Sequence, residues 1–193
     1  MIKIRYGTFE TNSSSTHAIA VPKARYKHSD KQSILTFGFG DFGWEFREVN
    51  PCDYFYTAIY ALYDDDALAE ALKTLTDALD EYGYGYVMEE PKQSSWNGTL
   101  DVGYIDHDNE VRGFVKKLLA DKDKLMAFLL GGRVFTGNDN SEASERCFVE
   151  RESPTYEEWE YDENTGDYTG TKEVHNPYYM ENHDDYEWYY KGN

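Results

Sequence analysis

A short polar segment near the beginning of the chain carries the residue types that nucleophilic chemistry uses. Residues 11–16 read Thr-Asn-Ser-Ser-Ser-Thr and are followed directly by His17. A serine beside a histidine can act as a nucleophile with its general base. Short hydroxyl and amide side chains also hydrogen-bond their own backbone, and such a loop can offer N–H groups to an anion. The candidate ligand loop consists of Asn12, Ser13, Ser14, Ser15 and His17.

Three interpretations of this loop stay open at the level of sequence. No third member of a catalytic triad and no oxyanion donors can be identified, and no glycine-framed elbow surrounds the serines. The loop can therefore be a structural polar turn, a binding loop or a catalytic site. The catalytic interpretation needs a pocket that brings the loop together with other polar groups, such as Asp139 or His107. No catalytic residue is assigned on this pattern alone.

Clusters of carboxylates and histidines suggest a metal site, but their spacing does not support one. In a strand, Asp106-His107-Asp108 sends its carboxylates to one side and its imidazole to the other, so it cannot chelate as a unit. Residues 138–142 lack the spacing and the glycine of an EF-hand loop. In a chain with 37 acidic residues, clusters such as 181–185 arise from composition. The sequence predicts no metal site and no cofactor.

The glycine-spaced run at residues 38–44, Gly-Phe-Gly-Asp-Phe-Gly-Trp, does not have the pattern of a phosphate-binding loop. It lacks the Gly-Lys-Ser/Thr ending and the dinucleotide spacing, and it contains no basic residue. The run predicts a twisted strand or an aromatic-lined turn.

The segment 152–193 combines twelve acidic residues with ten aromatic residues. Disordered acidic tails are usually poor in aromatic residues, so a simple solvating tail fits this composition badly. Carboxylates can take the place of phosphates while Tyr and Trp fill stacking pockets on a basic partner. An ordinary acidic hairpin whose rings pack onto the domain is the alternative. The predicted partner-binding residues are Glu157, Glu158, Trp159, Glu160, Tyr161, Asp184, Asp185, Tyr186 and Trp188.

The net charge narrows the class of partner. The chain has 19 basic and 37 acidic residues, which give a formal net charge of −18. A field of that sign repels phosphate backbones and attracts basic surfaces. The sequence therefore predicts a basic protein as the partner and no direct binding of nucleic acid.

Cysteine usage and hydropathy indicate a cytoplasmic location. The two cysteines, Cys52 and Cys147, do not make a disulfide framework or a zinc motif. Residues 1–7 contain no apolar signal core, and no run of about 18 apolar residues occurs. We expect reduced thiols and no membrane association, while the oligomeric state stays open.

Apolar spacing predicts the helices that position these segments. Apolar residues recur at three- and four-residue steps in 64–81, with acidic residues where the helix starts and Gly83 where it stops. Residues 54–63 are apolar enough for an earlier helix. A further helical region covers about 111–130, and Asp121 is the point at which it can divide in two.

Strands are predicted around these helices, and their order is mixed with that of the helices. The predicted strands cover 2–6, 17–21, 34–37, 84–88, 100–104, 133–136 and 147–150. A hairpin is expected from 156–161 and 168–174. The class is α+β, with a mixed or antiparallel sheet, two or three helices and a C-terminal acidic aromatic hairpin. The division is a core domain at 1–151 and an acidic Tyr/Trp-rich segment at 152–193, packed on the same domain.

The opening of the chain also resembles a known family. Its Phe-Glu-Thr-Asn-Ser-Ser-Ser-Thr-His stretch at residues 9–17, preceded by a basic strand, is similar to the start of an uncharacterised family of phages, prophages and related mobile elements. Residues 37–44 and 136–140 resemble family patterns less distinctly. The resemblance implies a viral or prophage origin and a location in the cytoplasm of an infected or lysogenic bacterium, and it brings no established activity.

Three hypotheses about function follow. The first is a phage-encoded acidic inhibitor that imitates nucleic acid and blocks a basic host defence protein, such as a CRISPR effector or a restriction enzyme. The second is a small-ligand-binding protein or enzyme that uses the loop from Ser13 to His17. The third is a structural or assembly protein of a virion. The first fits the charge and the acidic aromatic segment best.

Overall fold

The computed structural model of this chain describes residues 15–24, 33–43, 47–93, 100–105, 108–138, 153–176 and 179–191. Four α-helices lie in these residues, namely α1 (Pro51–Leu62), α2 (Asp65–Glu81), α3 (Asp108–Leu119) and α4 (Lys122–Gly131). Two or three helices were predicted. The additional one arises because Asp121 divides the predicted region 111–130 into α3 and α4.

Polar side chains directly before the helices explain where three of them begin. Asn50 accepts a hydrogen bond from the backbone N–H of Cys52, and Asp64 accepts one from that of Ala67. Asp121 caps α4 in the same way, through the N–H of Lys124. Each cap satisfies one of the donors that the first turn of a helix leaves open. Helix α2 ends at Glu81, and Gly83 (φ +76°) follows its cap residue Tyr82 at the predicted stop.

Twelve strands surround the helices within the described residues. They are β1 (Ser15–Pro22), β2 (Ile34–Phe37), β3 (Asp41–Phe42), β4 (Arg47–Val49), β5 (Gly85–Met88), β6 (Lys92–Gln93), β7 (Leu100–Asp101), β8 (Tyr104–Ile105), β9 (Arg133–Asn138), β10 (Thr155–Tyr161), β11 (Tyr168–His175) and β12 (Tyr186–Lys191). The largest sheet is antiparallel, with the order β12-β1-β9-β4. Four two-stranded sheets complete the set, of which β2–β5 and β3–β8 are parallel. The fold is therefore α+β, as predicted.

The two faces of the four-stranded sheet are buried in different ways. Side chains of β1 alternate between the faces, so Ile19 and Val21 enter the main core with the helices. Ala18 faces the other side and packs with Phe135 and Met180, against which Tyr186 and Trp188 are partly buried. The last strand, β12, pairs with β1 along its length, from His17–Lys191 to Pro22–Tyr186. The end of the acidic aromatic segment is thus part of the central sheet.

Several predicted elements differ in extent from the observed ones. Ser15 and Thr16 were expected in the polar loop, but they lie in β1 because they pair with Asn138 and Gly137. The predicted strand 100–104 is divided into β7 and β8, since Gly103 has a φ of +61°. The predicted strands at 2–6 and 147–150 lie outside the described residues, as do Asn12, Ser13 and Ser14.

The longest helix of the described residues, α2, has 17 residues and a polar exposed side. No helix in the described ranges is long and apolar enough to cross a membrane.

Candidate functional site

The predicted hairpin is present as an isolated two-stranded sheet made of β10 and β11. The pairing runs from Thr155–His175 to Glu160–Gly170, and a bulge after Glu160 brings Tyr161 opposite Tyr168. None of the hairpin side chains belongs to the hydrophobic clusters of the described residues. Packing in the hydrophobic core therefore does not explain the aromatic side chains of the hairpin.

The turn of the hairpin is organised by Asp162. One carboxylate oxygen of this residue accepts hydrogen bonds from the backbone N–H groups of Asn164 (2.8 Å) and Thr165 (3.0 Å). Its backbone N–H donates to the carbonyl of Asp167 at 2.8 Å and closes the loop. The two N–H donors favour the ionised carboxylate and hold the pKa of Asp162 below its usual range.

The hairpin is expected to loosen at acidic pH because its turn needs an ionised Asp162. A lowered pKa in the folded state means that the stabilisation is present at neutral pH and is lost as the pH falls through that lowered value. Cross-strand NMR contacts between Tyr161 and Tyr168 should weaken over this range. The Asp162→Asn variant keeps an acceptor oxygen without the titration, so its hairpin should lose this part of the pH dependence. An identical acid response in the variant would show that the turn does not depend on this carboxylate.

One face of the hairpin, here called the ring face, carries three exposed aromatic side chains. Trp159, Tyr161 and Tyr168 are 43%, 53% and 56% exposed. The Trp159 and Tyr168 ring centroids are 5.3 Å apart with a tilt of 57°, and those of Tyr161 and Tyr168 are 6.1 Å apart at 70°. Glu157 lies two residues before Trp159 on the same face, directly opposite Glu173. The ring face is defined by Glu157, Trp159, Tyr161, Tyr168 and Glu173.

Sequence reasoning missed two members of the ring face. Tyr168 and Glu173 were not among the predicted partner-binding residues, although both belong to the predicted second strand. Their place follows from the pairing of Tyr161 with Tyr168 and of Glu157 with Glu173. The signal that could have found them was the two-residue alternation of each strand once the hairpin was placed in register.

The opposite face of the hairpin is electrostatically different. Glu158 and Lys172 are direct cross-strand partners, and their side chains form a salt bridge with an N–O distance of 3.1 Å. Glu160 shares this face and lies opposite Gly170. Two predicted partner-binding residues, Glu158 and Glu160, are thus turned away from Trp159. Glu158 already has a cation beside it.

The hairpin is strongly acidic as a whole. Residues 153–176 contain seven carboxylates and one lysine, so this short sheet carries a net charge of −6. The lysine, Lys172, points to the face away from the rings. Within the described hairpin strands, the ring face therefore has no lysine or arginine.

Asn176 ties the base of the hairpin together. Its side-chain amide donates to the carbonyl of Ser153 (3.1 Å), and its backbone N–H donates to that of Pro154 (2.9 Å). Asn176 is buried, and its own carbonyl accepts from the N–H of Tyr179. The hairpin is thereby fixed at the point where both of its strands meet the rest of the chain.

The remaining predicted partner-binding residues lie on other elements. Asp184 and Asp185 form a single helical turn at 183–185, and their carboxylates are exposed. Their backbone carbonyls accept hydrogen bonds from the ammonium and the backbone N–H of Lys23. Trp188 stacks on His183 at 4.9 Å and donates its indole N–H to the His183 carbonyl. Tyr186 and Trp188 are half-buried against the central sheet, so they are packing residues, unlike the rings of the hairpin.

Within the candidate ligand loop, His17 is an interior residue. His17 is 1% exposed, and its Nδ1 lies 2.9 Å from the hydroxyl of Tyr54, which is fully buried on α1. Burial raises the pKa of Tyr54 well above its usual range, so the phenol stays protonated. His17 therefore meets another interior side chain in place of solvent or ligand. Of the loop, Ser15 lies in β1, while Asn12, Ser13 and Ser14 lie outside the described residues.

The glycine-spaced run uses its backbone donors within the protein. The N–H groups of Gly38, Phe39 and Gly40 donate to side-chain oxygens of Asp53 (2.7 Å), Glu89 (3.2 Å) and Thr57 (3.2 Å), in that order. Phosphate-binding loops aim such donors at a ligand. Here the donors join the run to α1 and to the end of β5.

The other reactive or metal-binding side chains of the described residues are either buried or too far apart to act together. Cys52 is buried, and desolvation raises the pKa of its thiol to about 12, which leaves very little of the reactive thiolate. Within the described residues, no three His, Cys, Asp or Glu side chains are grouped so that they could hold a metal ion. Cys147, His107 and Asp139 lie outside the described residues.

The fold and the hairpin together define an acidic α+β protein with an exposed aromatic sheet face. Comparisons with protein-family models, with curated proteins and with solved structures find no match to this chain.

Proposed function

We propose that this protein is a phage-encoded acidic inhibitor that binds a basic, nucleic-acid-handling defence protein in the cytoplasm of the bacterial host. The observation that supports this proposal best is the exposed ring face of a hairpin that contributes no side chain to the hydrophobic clusters of the described residues. Large exposed aromatic residues are more typical of binding surfaces than of solvated ones. The hairpin is therefore the proposed docking element.

The charge of the hairpin suggests how it would imitate nucleic acid. Proteins that bind single strands combine a basic groove with aromatic platforms for the bases. The hairpin offers complementary features, because its carboxylates resemble phosphates and its rings resemble exposed bases. The net charge of −18 on the chain adds long-range attraction to a basic groove, and it opposes binding of nucleic acid by this chain itself.

A tagged pull-down at low and at high salt tests this proposal. Bait protein would be incubated with nuclease-treated host lysate, and bound proteins would be identified by mass spectrometry. We expect one DNA- or RNA-handling protein to be captured at low salt and to be lost at high salt, because exposed charges are screened. Added duplex DNA should displace the bait from that partner. Capture that resists both salt and DNA would contradict mimicry.

A matched pair of variants distinguishes the contribution of the hairpin carboxylates to binding from that of the overall negative charge. The hairpin variant Glu157→Gln/Glu160→Gln/Glu173→Gln removes three carboxylates, and Asp66→Asn/Glu70→Gln/Asp80→Asn removes three exposed carboxylates from α2. If each hairpin charge contributes as an exposed ion pair does, the hairpin variant should bind roughly tenfold more weakly. The α2 variant should lose much less. Equal losses in both variants would mean that the hairpin has no special role.

A further inference from the structure

The parallel pair β2–β5 is exposed in a way that is unusual for parallel strands. Parallel sheets are almost always covered on both faces, and a sheet of two strands is marginally stable without further strands or cover. One face of this pair packs on the main core through Leu35, Phe37 and Met88. On the other face, Ile34 is 67% and Val87 is 59% exposed. This outer face therefore presents apolar surface to solvent in a strongly acidic chain.

The outer edge of β5 also offers backbone hydrogen-bonding groups. The N–H of Gly85 donates to the carbonyl of Ser33 at 3.2 Å, and the N–H of Glu89 donates to the end of β2 at 2.8 Å. Successive residues of a parallel strand turn their N–H and C=O groups to alternate sides, so those of Tyr86 and Met88 point away from β2. In the part of the chain that the structure describes, β5 pairs with β2 alone.

Strand β5 lacks the features that protect exposed edges from pairing with another chain. Natural edge strands carry charged side chains, proline or bulges. Residues 82–88 contain no charged residue and no proline, although 29% of the chain is charged. Strand β10, by contrast, carries three glutamates, which oppose pairing with a second copy of the same strand. Its lack of charge makes the β5 edge suited to an uncharged strand, and every copy of this chain contains one.

One antiparallel register satisfies the β5 edges of two copies at once. A two-fold axis at Val87 places Tyr86 of each copy opposite Met88 of the other. Because both residues turn their backbone outwards, each N–H donates to the carbonyl of the opposed residue. Val87 then meets Val87 of the second copy on the outer face, where two β-branched side chains pack across the strands. Glu89 lies opposite Gly85, so this register opposes no like charges.

We propose that the outer edge of β5 is a self-association site, at which a second copy of this chain adds its own β5 in antiparallel orientation about Val87. The two β2–β5 pairs then form one larger sheet, which relieves the marginal stability of each pair. A contact of this kind uses the same surface on both copies, so it closes with two chains. The edge is short, and the dimer therefore belongs to the weak class of interfaces below roughly 1,200 Å². This inference goes beyond the proposed function and does not depend on it.

Sedimentation equilibrium of the full chain, at concentrations up to about 1 mM, measures this association. We expect a dimer that strengthens as salt rises from about 0.05 to about 0.5 M, because salt screens the repulsion between two chains of net charge −18. Binding of the proposed basic partner responds to salt in the opposite direction, so the two contacts are distinguishable. A chain that stays monomeric at every concentration and salt would overturn the self-association site.

Substitutions at the two-fold position test the register. Val87→Glu and Val87→Lys each place like charges opposite one another, so each variant alone should self-associate at least roughly tenfold more weakly. An equimolar mixture of the two should regain association as a heterodimer, because opposite charges then face one another. Val87 is 59% exposed, so neither substitution removes core packing, and circular dichroism verifies the fold. A mixture that stays as weak as each variant alone would show that this register is wrong.

Amide hydrogen exchange identifies the edge that is used. The outward N–H groups of Tyr86 and Met88 should exchange more slowly as the protein concentration rises, because they become hydrogen-bonded in the dimer. Ile34 and Thr36 are the matched control, since their N–H groups point away from β5 at the other edge of the pair. Slower exchange at Ile34 and Thr36 instead, or at neither pair of residues, would overturn the assignment to β5.

Discussion

Replacing His17 with alanine is expected to lower the free energy of unfolding by about 2–4 kcal/mol. The imidazole is buried between the central sheet and α1, where its Nδ1 meets the hydroxyl of Tyr54. The substitution leaves a cavity and also a buried hydroxyl without this partner, and both effects destabilise the fold. Urea unfolding followed by circular dichroism measures the change.

A double-mutant cycle distinguishes the His17–Tyr54 contact from simple loss of volume. Tyr54→Phe removes only the hydroxyl and should cost about 1–3 kcal/mol, because the buried imidazole loses this hydrogen bond. The double variant should cost less than the sum of the two single losses, since the hydrogen bond between His17 and Tyr54 can be lost only once. Strict additivity would mean that the two side chains do not stabilise each other. A His17→Ala protein of unaltered stability would contradict the structural role.

The sequence contained the signal for the interior position of His17. In the predicted strand 17–21, His17 alternates with Ile19 and Val21, and these three share the side that faces the helices. His17 was instead assigned to the candidate ligand loop, because polar residues precede it directly. A single histidine on the apolar face of a strand can be either an interior residue or a ligand-binding residue. Only its neighbours in space decide whether its ring nitrogens are hydrogen-bonded inside the protein. Tyr54, 37 positions further on, was not identifiable as that neighbour.

Helix boundaries were predictable because their causes are local. Asp64, Asp121 and Gly83 act through hydrogen bonds or dihedral angles within a few residues of each helix end. The strand order β12-β1-β9-β4 was not predictable in this way, since every pairing in it joins segments that are far apart in the chain, the nearest being β4 and β9 with Val49 opposite Val134. The same limit explains why the final strand was grouped with the hairpin at 152–193. By composition, the hairpin and β12 form one acidic aromatic segment. In the structure, β12 pairs with β1 in the central sheet, whereas the hairpin forms a sheet of its own.

The candidate site was predictable where its structure has local causes, and unpredictable where it depends on the register between strands. The hairpin itself was predicted from two strand-like runs around a polar turn, and Asp162 stabilises that turn locally. Which side chains share a face depends on register, which the bulge after Glu160 alters. Composition therefore identified Trp159 and Tyr161 but could not separate them from Trp188, which is half-buried against the central sheet. Exposure of the rings was the deciding structural observation.

Gly103→Ala is expected to lower the free energy of unfolding by about 3 kcal/mol or more. Gly103 has a φ of +61°, which costs a residue with a Cβ about 1–2 kcal/mol. A Cβ at this position would lie 2.2 Å from the backbone oxygen of Gly40, within the glycine-spaced run. The neighbour is backbone, so it cannot rotate away. The β3–β8 pair, with Asp41 next to Tyr104, would have to separate.

Gly113→Ala is the matched control for this prediction. Gly113 lies on the exposed side of α3, and a Cβ there would meet nothing within 4 Å. The same chemical change should therefore stabilise the protein by roughly 0.5–1 kcal/mol, because alanine loses less conformational freedom in a helix than glycine does. Opposite signs for the two variants in urea unfolding would attribute the Gly103 effect to the close approach at Gly40. Similar small changes in both would mean that the two backbone segments are not held together as described, and that residues 38–40 are anchored by Asp53, Glu89 and Thr57 alone.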